Sequence, residues 1–93
     1  MVNLTGKIVS VETWDKLIKI EFEETNNYYF VEITFNNDLF DDYQGVLRLL
    51  AFLSFYDIRS LSYQYFDDKN ILYLDYNNTS YKFKVKDFSI YDL

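Results

Sequence analysis

The chain has 93 residues, with 15 Asp and Glu against 9 Lys and Arg, which gives a formal net charge of −6. It contains no His and no Cys, whereas 10 Tyr and 9 Phe make it rich in aromatic side chains. This composition excludes imidazole and thiol catalysis, zinc sites built on those ligands, and disulfide bonds. The length predicts a single domain over residues 1–93, and the apolar content excludes intrinsic disorder.

The N-terminal segment has neither a basic region nor a long apolar stretch, so no signal peptide is predicted. The longest apolar-rich run, residues 46–56, is far shorter than the about 20 residues that a membrane-spanning helix needs. The sequence therefore predicts a cytoplasmic protein with no membrane partner. If a phage encodes the chain, this is the cytoplasm of the host cell.

Three segments of alternating apolar and polar residues come first in the chain, namely residues 7–12, 16–23 and 28–35. In the second segment, Ile18, Ile20 and Phe22 share one side. Asn26 and Asn27 favour a turn, because Asn tolerates positive φ and bonds to its own backbone. Strands joined by such short turns predict an antiparallel meander.

A helix is predicted next, because one stripe at helical spacing comprises Leu39, Tyr43, Val46, Leu50 and Leu53. Asn37 or Asp38 is a suitable N-cap, and Asp41 and Asp42 lie in the first turn, where the helix dipole favours negative charge. The helix is expected to end at residues 55–56.

Alternation returns in residues 60–65, 71–76 and 81–85, and the tail at 88–91 either adds an edge strand or covers the core. The order βββ-α-βββ predicts an α+β fold, with one antiparallel sheet and the helix packed on one face. A small, partly open barrel of the OB type is the alternative, because it also places a helix between its third and fourth strands.

Catalysis is not expected, since the chain carries no nucleophile paired with a base. Its only glycines are Gly6 and Gly45, which excludes phosphate-binding loops. Asp38, Asp41 and Asp42 lack the spacing of a calcium loop, and helix capping accounts for them. The sequence therefore predicts no enzyme, no metal site and no cofactor.

The negative charge is concentrated in one half of the chain. Residues 1–44 hold nine acidic residues and three lysines, whereas residues 45–93 hold six acidic and six basic residues. An acidic surface of this kind can compete for a groove that binds nucleic acid. The predicted partner-binding residues of this acidic face are Glu21, Glu23, Glu24, Glu32, Asp41 and Asp42.

Two further surfaces are candidates for binding. Phe52 and Phe55 make the second half of the helix apolar on all sides, so either the C-terminal tail covers them or they contact a partner or a second copy in a homodimer. The row Lys82, Lys84 and Lys86 could hold a single strand of nucleic acid beside Tyr73 and Tyr76 of the adjoining strand. Three lysines on an acidic chain are a weak electrostatic footprint, however, so direct nucleic-acid binding is not expected.

Small size, acidity, abundant aromatic residues and the lack of a catalytic apparatus resemble the anti-CRISPR and anti-restriction proteins that phages and mobile elements direct at host defence nucleases. The resemblance is one of composition and assigns no residue. It implies a non-enzymatic inhibitor whose acidic face contacts another protein with a basic nucleic-acid-binding groove. The alternatives are an immunity protein or antitoxin against a nuclease toxin, an OB-like single-stranded nucleic-acid binder, and a structural virion subunit.

Overall fold

The structure is a computed structural model that describes residues 2–36 and 40–92. Over these residues the chain forms eight strands and one helix in the order ββββ-α-ββββ. The elements are β1 (Val2–Thr5), β2 (Lys7–Trp14), β3 (Leu17–Glu24), β4 (Asn27–Thr34), α1 (Phe40–Phe55), β5 (Ser60–Phe66), β6 (Ile71–Tyr76), β7 (Thr79–Lys84) and β8 (Asp87–Asp92).

The strands pair in two antiparallel sheets of four, which we call sheet I (order β1-β5-β6-β7) and sheet II (order β2-β3-β4-β8). The predicted α+β class, with antiparallel strands before and after a central helix in the chain, is confirmed. The prediction of one sheet is wrong, because the strands divide into two sheets, in which β1 pairs with β5 and β8 pairs with β4. The predicted order βββ-α-βββ lacks β1 and gave β8 only as one of two possibilities for the tail. Each sheet therefore takes one strand from the other half of the chain, and this pairing is not specific to an OB barrel.

The chain passes from one sheet to the other three times, once through α1 between β4 and β5 and twice at bends. The first bend is Gly6, between β1 and β2, whose amide donates to the Arg59 carbonyl at 2.8 Å. At the second, between β7 and β8, the Val85 amide donates to the Asn70 carbonyl at 2.9 Å and the Lys86 amide to the Thr34 carbonyl at 2.7 Å. Two consecutive amides thus attach the chain first to the start of β6 and then to the end of β4.

Both sheets and the helix bury one continuous apolar core. Its most enclosed side chains, each less than 2% exposed, are Phe35, Ile18, Ile33, Leu53, Leu72, Val31, Val46 and Val85. They come from α1 and from residues both before and after it in the chain, so the core forms only when both halves of the chain are folded. Burial of apolar surface at about 25 cal/mol per Å² is the main favourable term for a chain without disulfides.

The predicted apolar stripe of α1 is confirmed within the described part of the helix. Val46, Leu50 and Leu53 are buried, and the half-buried Tyr43 ring meets Phe35 edge-on, with ring centroids 5.4 Å apart. The predicted cap residues and Leu39 lie outside the described residues. No helix in residues 2–36 and 40–92 is long and apolar enough to cross a membrane.

The edge strand β2 departs from simple alternation. A β-bulge between Ile8 and Ser10 shifts its register against β3, so that Ile8 faces Phe22 while Val11 faces Ile20. Because the bulge adds a residue between them, Ile8 and Val11 share the inward face. The simple alternation predicted for residues 7–12 is therefore wrong at the bulge.

Tyr29 joins the ends of two strands from different sheets. Its hydroxyl donates to the Thr5 carbonyl at 2.7 Å, and its ring stacks on Phe22 with centroids 5.1 Å apart. Burial, with a smaller effect of the Glu24 charge, raises the pKa of Tyr29 to about 12. The folded chain therefore holds the phenol proton more tightly than the unfolded chain, whose tyrosines titrate near 10.

We expect the free energy of unfolding to fall as the pH rises from about 10 towards 12, because the unfolded chain loses this proton first. Tyr29→Phe should lower stability by about 1 kcal/mol at neutral pH, through loss of the hydrogen bond, and should make the alkaline decline shallower. Urea unfolding at several pH values from neutral upward measures both effects. Tyr56→Phe is the control, since the Tyr56 side chain is 62% exposed. If stability declined equally steeply with pH in the wild type and in Tyr29→Phe, the prediction would be contradicted.

Candidate protein-binding site

Three of the predicted acidic residues share the outward face of sheet II. Because Phe22 is buried, its neighbours Glu21 and Glu23 lie on the opposite face of β3. Glu32 of β4 pairs with Lys19 and lies on the same face. We call this outward surface of β2, β3, β4 and β8 the acidic sheet face; its charged residues are Lys7, Glu12, Lys19, Glu21, Glu23, Glu32 and Asp87.

Aromatic side chains lie between these carboxylates. Phe30 is paired with Glu21 on one side and with Tyr91 on the other, and the Phe30 and Tyr91 ring centroids are 5.5 Å apart. The Lys19 Nζ atom lies 4.4 Å from the centre of the Phe30 ring. Phe30 and Tyr91 were not among the predicted binding residues, because the pairing of the tail with β4 is not visible in the local sequence pattern.

Two phenol hydroxyls orient two of the glutamates. Tyr28 donates to Glu23 Oε2 at 2.7 Å, and Tyr91 donates to Glu32 Oε2 at 2.8 Å. In each pair the hydrogen bond to the carboxylate is the main reason that the pKa of the tyrosine is raised. The phenols therefore stay protonated at neutral pH, and each carboxylate keeps free lone pairs for a partner.

The other three predicted acidic residues lie elsewhere. Glu24 ends β3 on the side of the buried residues and accepts a hydrogen bond from the Thr5 hydroxyl. Asp42 accepts the backbone amide of Lys84 at 3.0 Å, which ties α1 to the edge strand β7. Asp41 is exposed in the first turn of α1. The structure therefore groups Glu21, Glu23 and Glu32 and separates them from this second set.

Phe52 and Phe55 are exposed by 44% and 81%, respectively, at the end of α1. Their rings lie 4.8 Å and 5.0 Å from the ring of Tyr56, and Phe52 also contacts Tyr76 at 5.9 Å. The C-terminal tail does not cover them, since it forms β8, where Phe88 packs on Tyr63 and Tyr65 in the core. The two phenylalanines belong to an exposed aromatic cluster.

Because most of the Phe55 side chain is in water, Phe55→Ser should change the free energy of unfolding by no more than about 0.5 kcal/mol. Leu53→Ala, two residues away but 1% exposed, should instead lower it by about 2–5 kcal/mol. Chemical denaturation of both variants measures this difference. A large loss for Phe55→Ser would mean that the side chain is covered in solution.

The lysine row lies partly on the outward face of sheet I. Lys82 pairs with Tyr73, as predicted for a basic residue beside an aromatic one, and Lys84 pairs with Ile71. Tyr76 lies on the opposite side of β6, where it packs against the core. Lys86 belongs to the bend before β8. Two of the three lysines therefore share a face with Tyr73.

Comparison with known proteins adds no assignment: no protein-family model, no curated protein and no solved structure matches the chain. Among the residues that the structure describes, no three His, Cys, Asp or Glu side chains are placed to hold a metal ion. The acidic sheet face offers oriented carboxylates and aromatic rings on a rigid sheet. This chemistry suits the binding of a basic surface.

Proposed function

We propose that the protein is a non-enzymatic binding protein that inhibits a nucleic-acid-processing partner through its acidic sheet face. The observation that carries the proposal is the placement of Glu21, Glu23 and Glu32 on one outward face around Phe30 and Tyr91. Carboxylates attract a basic surface during encounter, and buried aromatic side chains supply much of the binding energy of protein interfaces.

The nature of the partner follows from charge. The acidic sheet face has five carboxylates against two lysines, and grooves that bind nucleic acid are lined with Lys and Arg that neutralise phosphates. An inhibitor of a host defence nuclease, of the anti-CRISPR or anti-restriction type, fits this charge and the composition of the chain. Phe52 and Phe55 are proposed as a second, apolar contact, either with the same partner or with a second copy.

Affinity capture with matched variants tests the proposal. The tagged wild-type chain is incubated at moderate salt with lysate of the host, beside two triple variants, Glu21→Gln/Glu23→Gln/Glu32→Gln and Glu24→Gln/Asp41→Asn/Asp42→Asn. Both variants lose three negative charges, but only the first loses them from the acidic sheet face. We expect a nuclease or its effector complex to be captured by the wild type and by the second variant, and to be lost from the first.

Equal capture by the two variants would contradict the use of this face, and capture that persists at high salt would contradict an electrostatic mechanism. Recovery of the chain alone would instead favour self-association through the aromatic cluster of α1. Capture of a nuclease toxin would assign the chain to the immunity proteins or antitoxins, which also present acidic surfaces to basic nucleases.

A further inference from the structure

A groove lies on the outward face of sheet I, separate from the acidic sheet face. Its volume is about 510 Å³, within the range of about 300–1,000 Å³ that is typical of small-molecule sites. Gln64, Phe66, Tyr73, Asp75 and Lys82 are among its walls. A second groove of about 380 Å³ adjoins it and has Asp75 and Ser80 in common with it.

Asp75 is the unusual member of these walls. Both of its carboxylate oxygens are buried, and neither has a hydrogen-bond partner within residues 2–36 and 40–92. Ser62 faces Asp75 across the β5–β6 pair, but the Ser62 hydroxyl donates to Asn3 Oδ1 at 2.7 Å. A buried carboxylate that accepts no hydrogen bond destabilises the folded chain, and a ligand that brings N–H donors removes this penalty.

The remaining walls restrict the chemistry of that ligand. Tyr73 and Phe66 are partly exposed and meet edge-to-face, with ring centroids 5.9 Å apart, so a face of one ring can stack a planar group. Lys69 and Lys82 also line the groove, and neither is within ion-pair distance of Asp75 in the described part of the chain. The lysines disfavour a simple cation and favour a ligand that carries an anionic group beside its N–H donors.

We propose that this groove binds the guanine base of a nucleotide. The Watson–Crick edge of guanine presents two adjacent donors, N1–H and the exocyclic amine, which a carboxylate accepts as a bidentate pair. The base stacks on Tyr73, and Lys82 or Lys69 contacts the phosphate. Adenine is excluded from the same pose, because its N1 acceptor would face the carboxylate.

To reach the carboxylate, the ligand displaces side chains from the groove wall. Gln64, Lys69 and Lys82 are exposed, and their long side chains can adopt other rotamers at low cost. Free nucleotides and single-stranded nucleic acids both present the guanine edge with a phosphate. The site is independent of the acidic sheet face, so either proposal can fail without the other.

Isothermal titration calorimetry of the full chain at low salt tests the site with guanosine, inosine and adenosine 5′-monophosphates. Inosine lacks the exocyclic amine, so we expect it to bind at least about 10-fold more weakly than guanosine, as the loss of one hydrogen bond to a charged group predicts. We expect no measurable binding of the adenosine nucleotide. This comparison of three nucleotides uses only the wild-type protein, so the result does not depend on whether a variant folds.

Asp75→Asn should abolish the preference for guanosine without lowering the midpoint of urea unfolding, since the unpartnered charge is removed. Asp87→Asn is the matched control, with the same change of charge on the outward face of sheet II, and should bind guanosine 5′-monophosphate as the wild type does.

Uridine oligonucleotides that contain either one guanosine or none show whether the guanine belongs to a free nucleotide or to a single-stranded nucleic acid. Binding of the guanosine oligonucleotide at least about 10-fold tighter than the mononucleotide indicates a single strand, because neighbouring bases and phosphates add contacts; equal affinity indicates a free nucleotide.

Equal affinities for the guanosine and adenosine nucleotides would overturn the proposal, as would unchanged guanosine binding by Asp75→Asn. The absence of binding by both the mononucleotide and the oligonucleotide would also overturn it. If, in addition, Asp75→Asn and Lys82→Gln each lowered the unfolding midpoint, Asp75 and Lys82 would form a structural ion pair in solution.

Discussion

Gly6→Ala is expected to destabilise the folded chain by about 3–4 kcal/mol, a large part of the stability of a small domain. Gly6 has φ +118°, a backbone conformation that residues with a Cβ rarely adopt. A Cβ added there would lie 2.4 Å from the carbonyl oxygen of Glu23 and 3.2 Å from Glu24 Cβ. The close neighbour is the backbone of β3, an inner strand of sheet II, so no rotamer change relieves the overlap.

Gly45→Ala provides a control with the same chemical change. A Cβ at Gly45 would lie 3.0 Å from Phe83 Cε1, a side-chain atom, and the helical backbone accepts alanine. The gain in helix propensity of about 1 kcal/mol offsets the close contact, so we expect a net change below about 1 kcal/mol. Urea unfolding compares the two variants. A loss for Gly6→Ala no larger than that for Gly45→Ala would show that the bend between the sheets is not rigid.

Reversal of Glu21, Glu23 and Glu32 to lysine is expected to slow association with the captured partner at least about 10-fold at low salt. The reversal brings the formal net charge from −6 to 0 and places the three new positive charges on the acidic sheet face. Electrostatic steering acts before contact, so the effect should appear in the association rate and should shrink as salt is added. Surface plasmon resonance with the purified partner measures the association rate and its dependence on salt concentration.

The control variant reverses Asp41, Asp67 and Asp68, which are exposed in α1 and in the turn before β6. Its net charge is the same, so a general effect of charge would slow association equally in both variants. A local effect would slow it mainly in the first. If the two association rates were equal, the acidic sheet face would not be the contact surface.

Local periodicity predicted the strands that have a clear inside and outside. The predicted bounds of β6 match those observed, and β3 and β4 are displaced by one residue. The pairing of β1 with β5 could not be predicted, because Asn3 and Ser62 are 59 positions apart and four residues of β1 carry little pattern. Alternation reports which face a residue occupies but not which strand lies beside it.

The same limit applies to the candidate sites. Alternation was sufficient to place Glu21 and Glu23 on one side of β3, and the register with β4 then adds Glu32. Glu24 was assigned to the acidic face because the predicted strand ended at residue 23; once β3 extends to Glu24, the same alternation places Glu24 on the opposite face. The sequence pattern did not indicate Asp75 as a site residue, since its lack of a hydrogen-bond partner depends on the side chains of two other strands.

The exchange of one strand between the two halves of the chain constrains the order of folding. Sheet II draws β2, β3 and β4 from before the helix, yet its fourth strand, β8, follows every other strand in the chain. During synthesis the edge of β4 therefore stays unpaired until β8 has emerged, and so it is open to mispairing with other chains. Once β1 and β8 are in place, neither half can unfold without breaking the sheet of the other, so we expect a single cooperative transition.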